Sequence, residues 1–478
     1  MAESHPKPLS WRHAGLLALI AVASFHAAYT PAKSGLLTFA IIGYVVCLVQ
    51  LARLRTPRQS FYTGLAVGFA CFAPQLECFW RIFGAAAIAL WLVLAFWIAL
   101  FIVLAHLALA RFGLKRGALL VPFLWTGLEY FRSELYFLKF SWLNVGFAFG
   151  TFQPFGVYGT GFCGAAFATV WLMRREDLLR MTLRRLIIYI ILLGFLAGLL
   201  LPTLSIVRVG PRMRPNPLIA GVQLEFPNGS EILQSLEKIV ALQSEIKLPG
   251  FKDTTNVDLI VLSEYTLDGE PTDALKAWCR TNQKFLIVGG KDASPGTNYY
   301  NTAFVISTNG EIVFKQVKSV PIQFFKDGLP APEQKVWDSP WGKIGICICY
   351  DLSYTRVTDE LVRQGAQMLI VPTMDVADWG QHQHELHARV APVRAAEYDI
   401  PIFRLASSGI SQGVDKSGRV QSSAPFPGEG EIIFFGAQLG AKGSLPLDRY
   451  LGPLGVIVTC IFMAWLLGQQ WMMRKKDV

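Results

Sequence analysis

Apolar residues in this chain crowd towards its two ends, and that placement limits the fold more than any motif does. Of 478 residues, 53% are hydrophobic and 16% charged, with a mean hydropathy of +0.39. The excess lies in Ala14–Leu201 and Leu451–Leu467, while the stretch between them is composed like an ordinary globular domain. Such a chain is expected to fold as a bundle of membrane helices carrying a soluble domain. Runs able to cross a bilayer occur at Ala14–Tyr29, Leu36–Leu51, Phe61–Cys78, Ala85–Ala110, Ala118–Phe131, Phe155–Met173, Ile187–Leu201 and Leu451–Leu467. The first, fifth and seventh are short or interrupted. Ala14–Tyr29 lacks a clear small-residue cleavage pattern and is read as a retained helix. The expected division is therefore a membrane domain of about seven helices over residues 1–210, a soluble domain over 211–445, and a last helix with its tail over 446–478.

Basic residues mark the orientation. Lys7 and Arg12, then Arg53, Arg55 and Arg58, then Arg111, Lys115 and Arg116 lie on one side. The group from Arg174 to Arg185 and the terminal Arg474, Lys475 and Lys476 share it. The opposite loops carry Lys33, Arg81, Arg132 and Lys139, and only Arg208, Arg212 and Arg214 run against the trend. Excess Lys and Arg face the cytoplasm, so both termini are expected inside and residues 211–445 outside. The net charge of +10 is explained by this placement and argues against a nucleic-acid partner. Glu129 and Arg132, three apart across the end of the fifth run, have the spacing to share a helix face as an ion pair, and contact with a lipid headgroup or substrate is the alternative.

The eight cysteines form no CxxC pair and no zinc-like spacing. Five fall in or beside the apolar runs; Cys279, Cys347 and Cys349 belong to the soluble part. There, LIAGVQLEF, VDLIVLSE, KFLIVGG, GKIGICIC, AQMLIVP and IPIFRLAS read as strands alternating with helices. Hairpins are expected at Asn309-Gly310 and around Lys416-Ser417-Gly418. The fold class is an α/β domain whose mixed sheets are covered by helices.

Three polar residues follow strand-like runs in that domain: Glu264 after VDLIVLS, Lys318 after GEIVFKQV, and Cys349 at the end of GKIGICIC. Strand alternation puts Cys347 and Cys349 on one face, and the end position singles out Cys349. Lys315 lies within its strand, so spacing singles out Lys318. Alone, each has an ordinary structural explanation: a packed thiol, a solvated lysine, a helix-capping carboxylate. Together a carboxylate, an ammonium and a thiol can act as base, oxyanion stabiliser and nucleophile, a chemistry that needs no cofactor and no metal. His382, His384 and His387 form H-x-H-x-x-H with Asp378 and Glu385 nearby, a possible zinc set. A helix spreads positions 382 and 384 over different faces, and a solvated helix start is the expectation, with a loop contact near the site as the other reading.

With LIVLSE at Glu264, GEIVFKQVK at Lys318 and ICYD at Cys349, the chain resembles the nitrilase, or carbon-nitrogen hydrolase, superfamily. WTGLEYFR from Trp125 and SWLNVGF from Ser141 bring it closer to the superfamily's membrane-bound branch, the apolipoprotein N-acyltransferases. Tyr300-Asn301, Arg394 to Glu397 and Ser407-Ser408-Gly409 are weaker echoes. The resemblance implies an extracytoplasmic α-β-β-α sandwich on about eight helices in the bacterial inner membrane. It implies that Cys349 takes the sn-1 acyl chain of a phospholipid, usually phosphatidylethanolamine, and passes it to the amine of a diacylglyceryl-cysteine lipoprotein. Glu264 would then be the base and Lys318 the oxyanion stabiliser. Two loops depart from the family. K-x-x-L-V-P-F-G-E becomes K-S-V-P-I-Q-F-F-K, which removes the second glutamate and leaves Lys326-Asp327. S-N-D-A-W-F-G becomes T-M-D-V-A-D-W-G around Asp375 and Trp379. A membrane amidase or an acyltransferase with another acceptor, and a scaffold of the same fold, stay open beside the acyltransferase reading.

Overall fold

The structure, a computed structural model, describes residues 8–30, 37–178, 216–243, 256–294 and 296–476. Helices α1 (Trp11–Tyr29), α2 (Ala40–Leu51) and α3 (Pro57–Gln75) take up the first three apolar runs. A short helix, α4 (Cys78–Phe83), precedes α5 (Ala87–Tyr130). Helix α5 bends back on itself where Gly113 adopts φ 74° and ψ 176°. Phe101 and Trp125, equally far from Gly113 in sequence, have ring centroids 4.9 Å apart; a straight helix would separate them by about 36 Å. The two arms of this hairpin are the fourth and fifth expected runs. A Cβ at Gly117 would collide with the carbonyl of Ala108, so glycine lets the arms close.

Small residues set the other close approaches. Gly64 and Gly68 of α3 meet Ala99 and Ala95 of α5, the small-xxx-small contact that lets helices pack where lipid offers no hydrophobic drive. Helix α6 (Val157–Leu178) follows. Among the described residues, Cys78–Leu135 and Asp448–Met473 are helical stretches long and apolar enough to cross a membrane, with Leu37–Leu51 and Val157–Met173 shorter apolar helices. The expected run Ile187–Leu201 and the basic residues from Arg180 to Arg214 lie outside the described residues.

The expected Glu129–Arg132 ion pair is corrected: among the described residues these two are not paired with each other. Each holds the loop that follows. Glu129 Oε1 accepts from the Val145 amide at 2.8 Å, and Arg132 donates to the Asn144 side chain, which also accepts from Ser133 Oγ at 3.0 Å. Tyr29 closes the same loop from α1 by donating to the Asn144 carbonyl at 2.7 Å. A backbone turn buried in an apolar bundle needs such partners.

The remaining chain forms two six-stranded sheets. The first runs β12 (Ile432–Gly436), β1 (Leu218–Val222), β2 (Leu259–Val261), β3 (Phe285–Ala293), β4 (Tyr299–Ile306), β5 (Ile312–Val317). The second runs β11 (Val420–Ala424), β10 (Ser411–Val414), β9 (Ile402–Ala406), β8 (Met368–Thr373), β7 (Gly342–Ile346), β6 (Val336–Ser339). Each has three parallel strands at its centre and antiparallel strands outside them. The expected hairpins join β4 to β5 and β10 to β11, with Gly310 at φ 76° and Gly418 at φ 81°.

Strand alternation sorts the residues between two cores. Leu218, Ala220, Val222, Ile260 and Leu286 face outward onto α7 (Gly229–Leu242) and α8 (Asp273–Asn282). Ile219, Leu259, Val261 and Ile287 face the second sheet, where Phe403 of β9 stacks on Phe435 of β12 at 6.1 Å. Beyond the second sheet lie α9 (Thr355–Arg363), α10 (Gln381–Ala388) and α11 (Val390–Tyr398). The helix–sheet–sheet–helix layering matches the expected sandwich.

One buried charge cluster ties the sandwich to the helices. Arg449, in the first turn of α12 (Asp448–Lys476), donates Nε to both oxygens of Asp359 at 2.8 Å. Its Nη1 reaches Glu397 at 3.1 Å and its Nη2 reaches Tyr398 OH at 2.9 Å. Asp448 Oδ2 accepts the amides of Tyr158 and Gly159, and Glu397 that of Val157, all at the start of α6. Removing one member of such a cluster strands the others without partners. Arg449→Ala is expected to cost about 3–5 kcal/mol, read as lower thermal stability of the detergent-solubilised protein. An unchanged unfolding temperature would mean the cluster is not what joins the two parts.

Candidate active site

Glu264 lies three residues beyond β2 and is 1% exposed. A Cβ at Gly289 of β3 would strike its Cα, so glycine there admits the Glu264 backbone against the sheet. Oε1 accepts from Lys318 Nζ at 2.7 Å and Asn301 Nδ2 at 2.6 Å, while Oε2 accepts the Met374 amide at 2.8 Å. Lys318, directly after β5, is fully buried. Lys315 instead sits at the surface, paired with Asp292 and Glu270.

Lys318 has a second anionic partner that the sequence pattern did not disclose. Asp327 Oδ2 lies 2.8 Å from Nζ, and Oδ1 accepts from Asn301 Nδ2 and Tyr265 OH at 3.0 and 2.8 Å. The family's second glutamate is absent as the sequence indicates, and the Asp327 that stands beside its position reaches the site in its place. The loop after Lys318 carries its acid one position later than the family pattern, and Asp327 Oδ2 also caps the Ile322 amide at 2.7 Å to fold that loop inward.

Cys349 opens a short 3₁₀ turn, Cys349–Ser353, with φ at 52°. A non-glycine residue in the left-handed region is strained and persists only where its surroundings enforce it. The parity argument stops short of it, because β7 ends at Ile346 and the turn re-aims the side chain. Asp351 supplies one side of the enforcement, accepting the amides of Ser319, Val320 and Ile348 and so joining the turn to the Lys318 loop. The other side comes from the helical part and α11. Trp142 Nε1 donates to Ser353 Oγ at 2.9 Å, Glu134 accepts the Thr355 amide at 3.1 Å, and Arg394 donates to the Leu352 and Ser353 carbonyls.

The electrostatics separate the two carboxylates. Burial pushes Glu264 above the usual carboxylate range, with Lys318 opposing. Burial acts on Asp327 the same way, but Lys318 outweighs it and holds Asp327 low. Two carboxyls driven apart by their surroundings divide into acid–base and fixed-charge roles; Glu264 is the one able to carry a proton. Lys318 stays charged despite burial because both acids hold its pKa well above the usual lysine range. Burial, then the charge of Glu264, push the Cys349 thiol well up, with Lys318 opposing. The resting sulfur is a thiol close enough to feel the carboxylate, and its Sγ lies 3.7 Å from the Met374 carbonyl. Cys347 is wholly buried, and burial pushes its thiol up as well.

Cys349 opens into a void of about 880 Å³, counting its open mouth. The helical part supplies Phe79, Phe83, Leu94, Phe140 and Trp142, and the loops that depart from the family supply Phe324, Phe325 and Trp379. The polar wall holds Tyr350, Asp375, Gln383 and His387. The expectation of a solvated histidine helix start is overturned: His384 and His387 are 0% and 2% exposed. Their partners are remote in sequence. His387 Nδ1 lies 2.8 Å from Asp375 Oδ1, and Arg404 of β9 pairs with the other oxygen of Asp375. His382 reaches Gln75 at the end of α3, 2.8 Å away. Among the described residues no group of His, Cys, Asp and Glu is arranged to hold a metal.

Residues 238–436 match the carbon-nitrogen hydrolase family model, and residues 14–173 match that of the apolipoprotein N-acyltransferase N-terminal domain. The apolipoprotein N-acyltransferase of Geobacter metallireducens is 24% identical over 460 residues, covering 82% of this chain and 83% of its own. That of Nitrosomonas europaea is 24% identical over 442 residues, covering 79% and 83%. Among solved structures, Saccharomyces cerevisiae Nit3, a member of branch 10 of the nitrilase superfamily, aligns at 20% identity. It covers 50% of this chain and 94% of its own, with a TM-score of 0.39.

Because Glu264 raises the Cys349 pKa, Glu264→Gln lowers it. The mutant thiol is expected to be alkylated by iodoacetamide faster than wild type near neutral pH, with its rate–pH midpoint moved to lower pH. Mass spectrometry of the Cys349 peptide reads this directly. A slower or unshifted reaction would separate Glu264 electrostatically from the sulfur.

Proposed function

The chain belongs to the apolipoprotein N-acyltransferase branch of the carbon-nitrogen hydrolase superfamily, and from there we propose the reaction it carries out. It moves an acyl chain from a phospholipid, through a thioester on Cys349, to the N-terminal amine of diacylglyceryl-cysteine lipoproteins. One observation carries this reading: the pocket at Cys349 is walled by apolar side chains of the membrane-type helices, so the sulfur sits where a lipid chain can lie. A soluble amide substrate has no use for such a wall.

In the proposed mechanism Glu264 takes the thiol proton as Sγ attacks the ester carbonyl, since a free thiolate beside an ionised Glu264 is disfavoured. Lys318, held charged by Glu264 and Asp327, stabilises the oxyanion. Collapse of the tetrahedral adduct expels the lysophospholipid alkoxide, which takes the proton back from Glu264. The acceptor amine then attacks the thioester, the C–N bond forms, the C–S bond breaks, and the sulfur is reprotonated.

Under this reading residues 1–210 and 446–478 hold the protein in the bacterial inner membrane as about eight helices with both termini cytoplasmic, and residues 211–445 do the chemistry on the periplasmic side. The basic residues flanking the apolar runs support that orientation. Incubating the detergent-purified protein with phospholipid labelled in its sn-1 chain is expected to give a hydroxylamine-labile acyl group on wild type and none on Cys349→Ala. Adding a diacylglyceryl-cysteine peptide is expected to move the label into an amide. A thioester without N-acyl peptide would transfer the assignment to a different acceptor, and no thioester at all would end it. Reporter fusions between residues 211 and 445 that score as cytoplasmic would invert the topology.

A further inference from the structure

We propose that His387 is the base that takes a proton from the acceptor's primary ammonium during aminolysis of the Cys349 thioester. The inference rests on the acyl-transfer reading above and concerns its second half.

Proton balance creates the need. An α-amino group has a pKa of about 7.7–8.0 and arrives largely as R–NH₃⁺, whereas the amide product keeps one N–H. Two protons leave nitrogen as the C–N bond forms and the C–S bond breaks. One returns to the Cys349 sulfur, and Glu264 can relay it. The other needs a second acceptor. Lys318 is already fully protonated, and Asp327 is held ionised by its contact with Lys318.

His387 has the form of that acceptor. Its Nδ1–H donates to Asp375 Oδ1 at 2.8 Å. Arg404 Nη2, 3.1 Å from the same nitrogen, gives one of its two protons to Asp375 Oδ2; the acceptor-only carboxylate at the shorter distance sets the tautomer with the hydrogen on Nδ1. This leaves the Nε2 lone pair as the available atom, and Nε2 has no hydrogen-bond partner among the described residues. The ring forms part of the pocket wall together with Cys349. Trp142 stacks on it at 4.7 Å and 18°, which fixes its plane. The dyad lies beside the sulfur, because Asp375 directly follows Met374, whose carbonyl is the Sγ contact.

The groups facing His387 are Asp375, Arg404 and His384, with Lys139 and Cys349 on the same pocket. Burial lowers the imidazole pKa and Arg404 adds to this, against Asp375. At neutral pH the ring is therefore in its base form.

The test is single-turnover aminolysis of preformed acyl-enzyme in wild type and His387→Asn, which keeps a donor towards Asp375 but no base in the pocket. Relative to its own rate of thioester formation, the variant is expected to lose about 10- to 100-fold in aminolysis by a diacylglyceryl-cysteine peptide near pH 6.5. The deficit should shrink above about pH 9, where the amine arrives neutral. Hydroxylamine, already neutral near pH 7, should cleave both acyl-enzymes alike. An unimpaired ratio, an equal loss with hydroxylamine, or a deficit indifferent to pH would overturn the proposal. If the variant does not fold, the wild type still decides: its peptide aminolysis should hold its rate as the pH falls below the amine's own pKa of about 7.7–8.0, and a loss that tracks that pKa would overturn the proposal. Wild type that forms no thioester removes the acyl-transfer reading itself, and His387 with it; a thioester with unaffected aminolysis removes His387 alone.

Discussion

The left-handed turn at Cys349 is the constraint on which the rest of the site depends. A cysteine at φ 52° does not hold that conformation by itself, and the structure meets it from two directions. Asp351 draws the Lys318 loop onto the turn through backbone amides, so nucleophile and ammonium cannot move independently. Ser141, Trp142 and Glu134 grip Ser353 and Thr355 from the helical part. The loop carrying Ser141 and Trp142 is in turn fastened by Glu129, Arg132 and Tyr29, deep in the bundle. Charges retained in an apolar bundle are costly; here their positions amount to a footing for the reactive turn.

Lys318 organises the electrostatics in the same manner. Its ammonium lies between two carboxylates at 2.7 and 2.8 Å, an arrangement that would be unfavourable for any one of the three alone. Asn301 and Tyr265 satisfy the remaining oxygens, and the Met374 amide directs Glu264 towards the strand that carries the Cys349 contact. Buried polar networks work when every member is satisfied. Here each oxygen of Glu264 and Asp327 has a donor, Asn301 Oδ1 is left without a partner among the described residues, and Glu264 is the proton carrier.

Much of this could be read from residues in order. Strand alternation from Leu218 to Leu262 did separate the two cores, Asn309-Gly310 did form its hairpin, and the end-of-strand positions of Glu264, Lys318 and Cys349 do converge. What escaped is what depends on contacts remote in sequence. Asp327 sits one position away from where the family pattern places an acid, and only the inward fold of the Ile322–Asp327 loop brings it to Lys318. His387 looked like part of a surface cluster because its partners, Asp375 and Arg404, belong to another loop and another strand. The reversal at Gly113, by contrast, was legible as the basic break at Arg111, Lys115 and Arg116 between the fourth and fifth apolar runs. Glu129 and Arg132 had the spacing of a pair, but the loop at Ser141–Val145 offered each a better partner.

Trp142 shows why the two halves of the molecule cannot be treated as anchor and catalyst. Its indole N–H holds Ser353, one face stacks on His387, and its ring meets Tyr350 at 5.8 Å. A single side chain from the helical part therefore touches the nucleophile's turn, the imidazole on the polar wall and the residue next to the sulfur. The apolar wall of the pocket comes from the same helical part. The sandwich supplies the charged residues, but the surface that receives a chain and the support that keeps Cys349 aimed at it both come from the helices. Cut away from them, the sandwich would lose the shape of its active site.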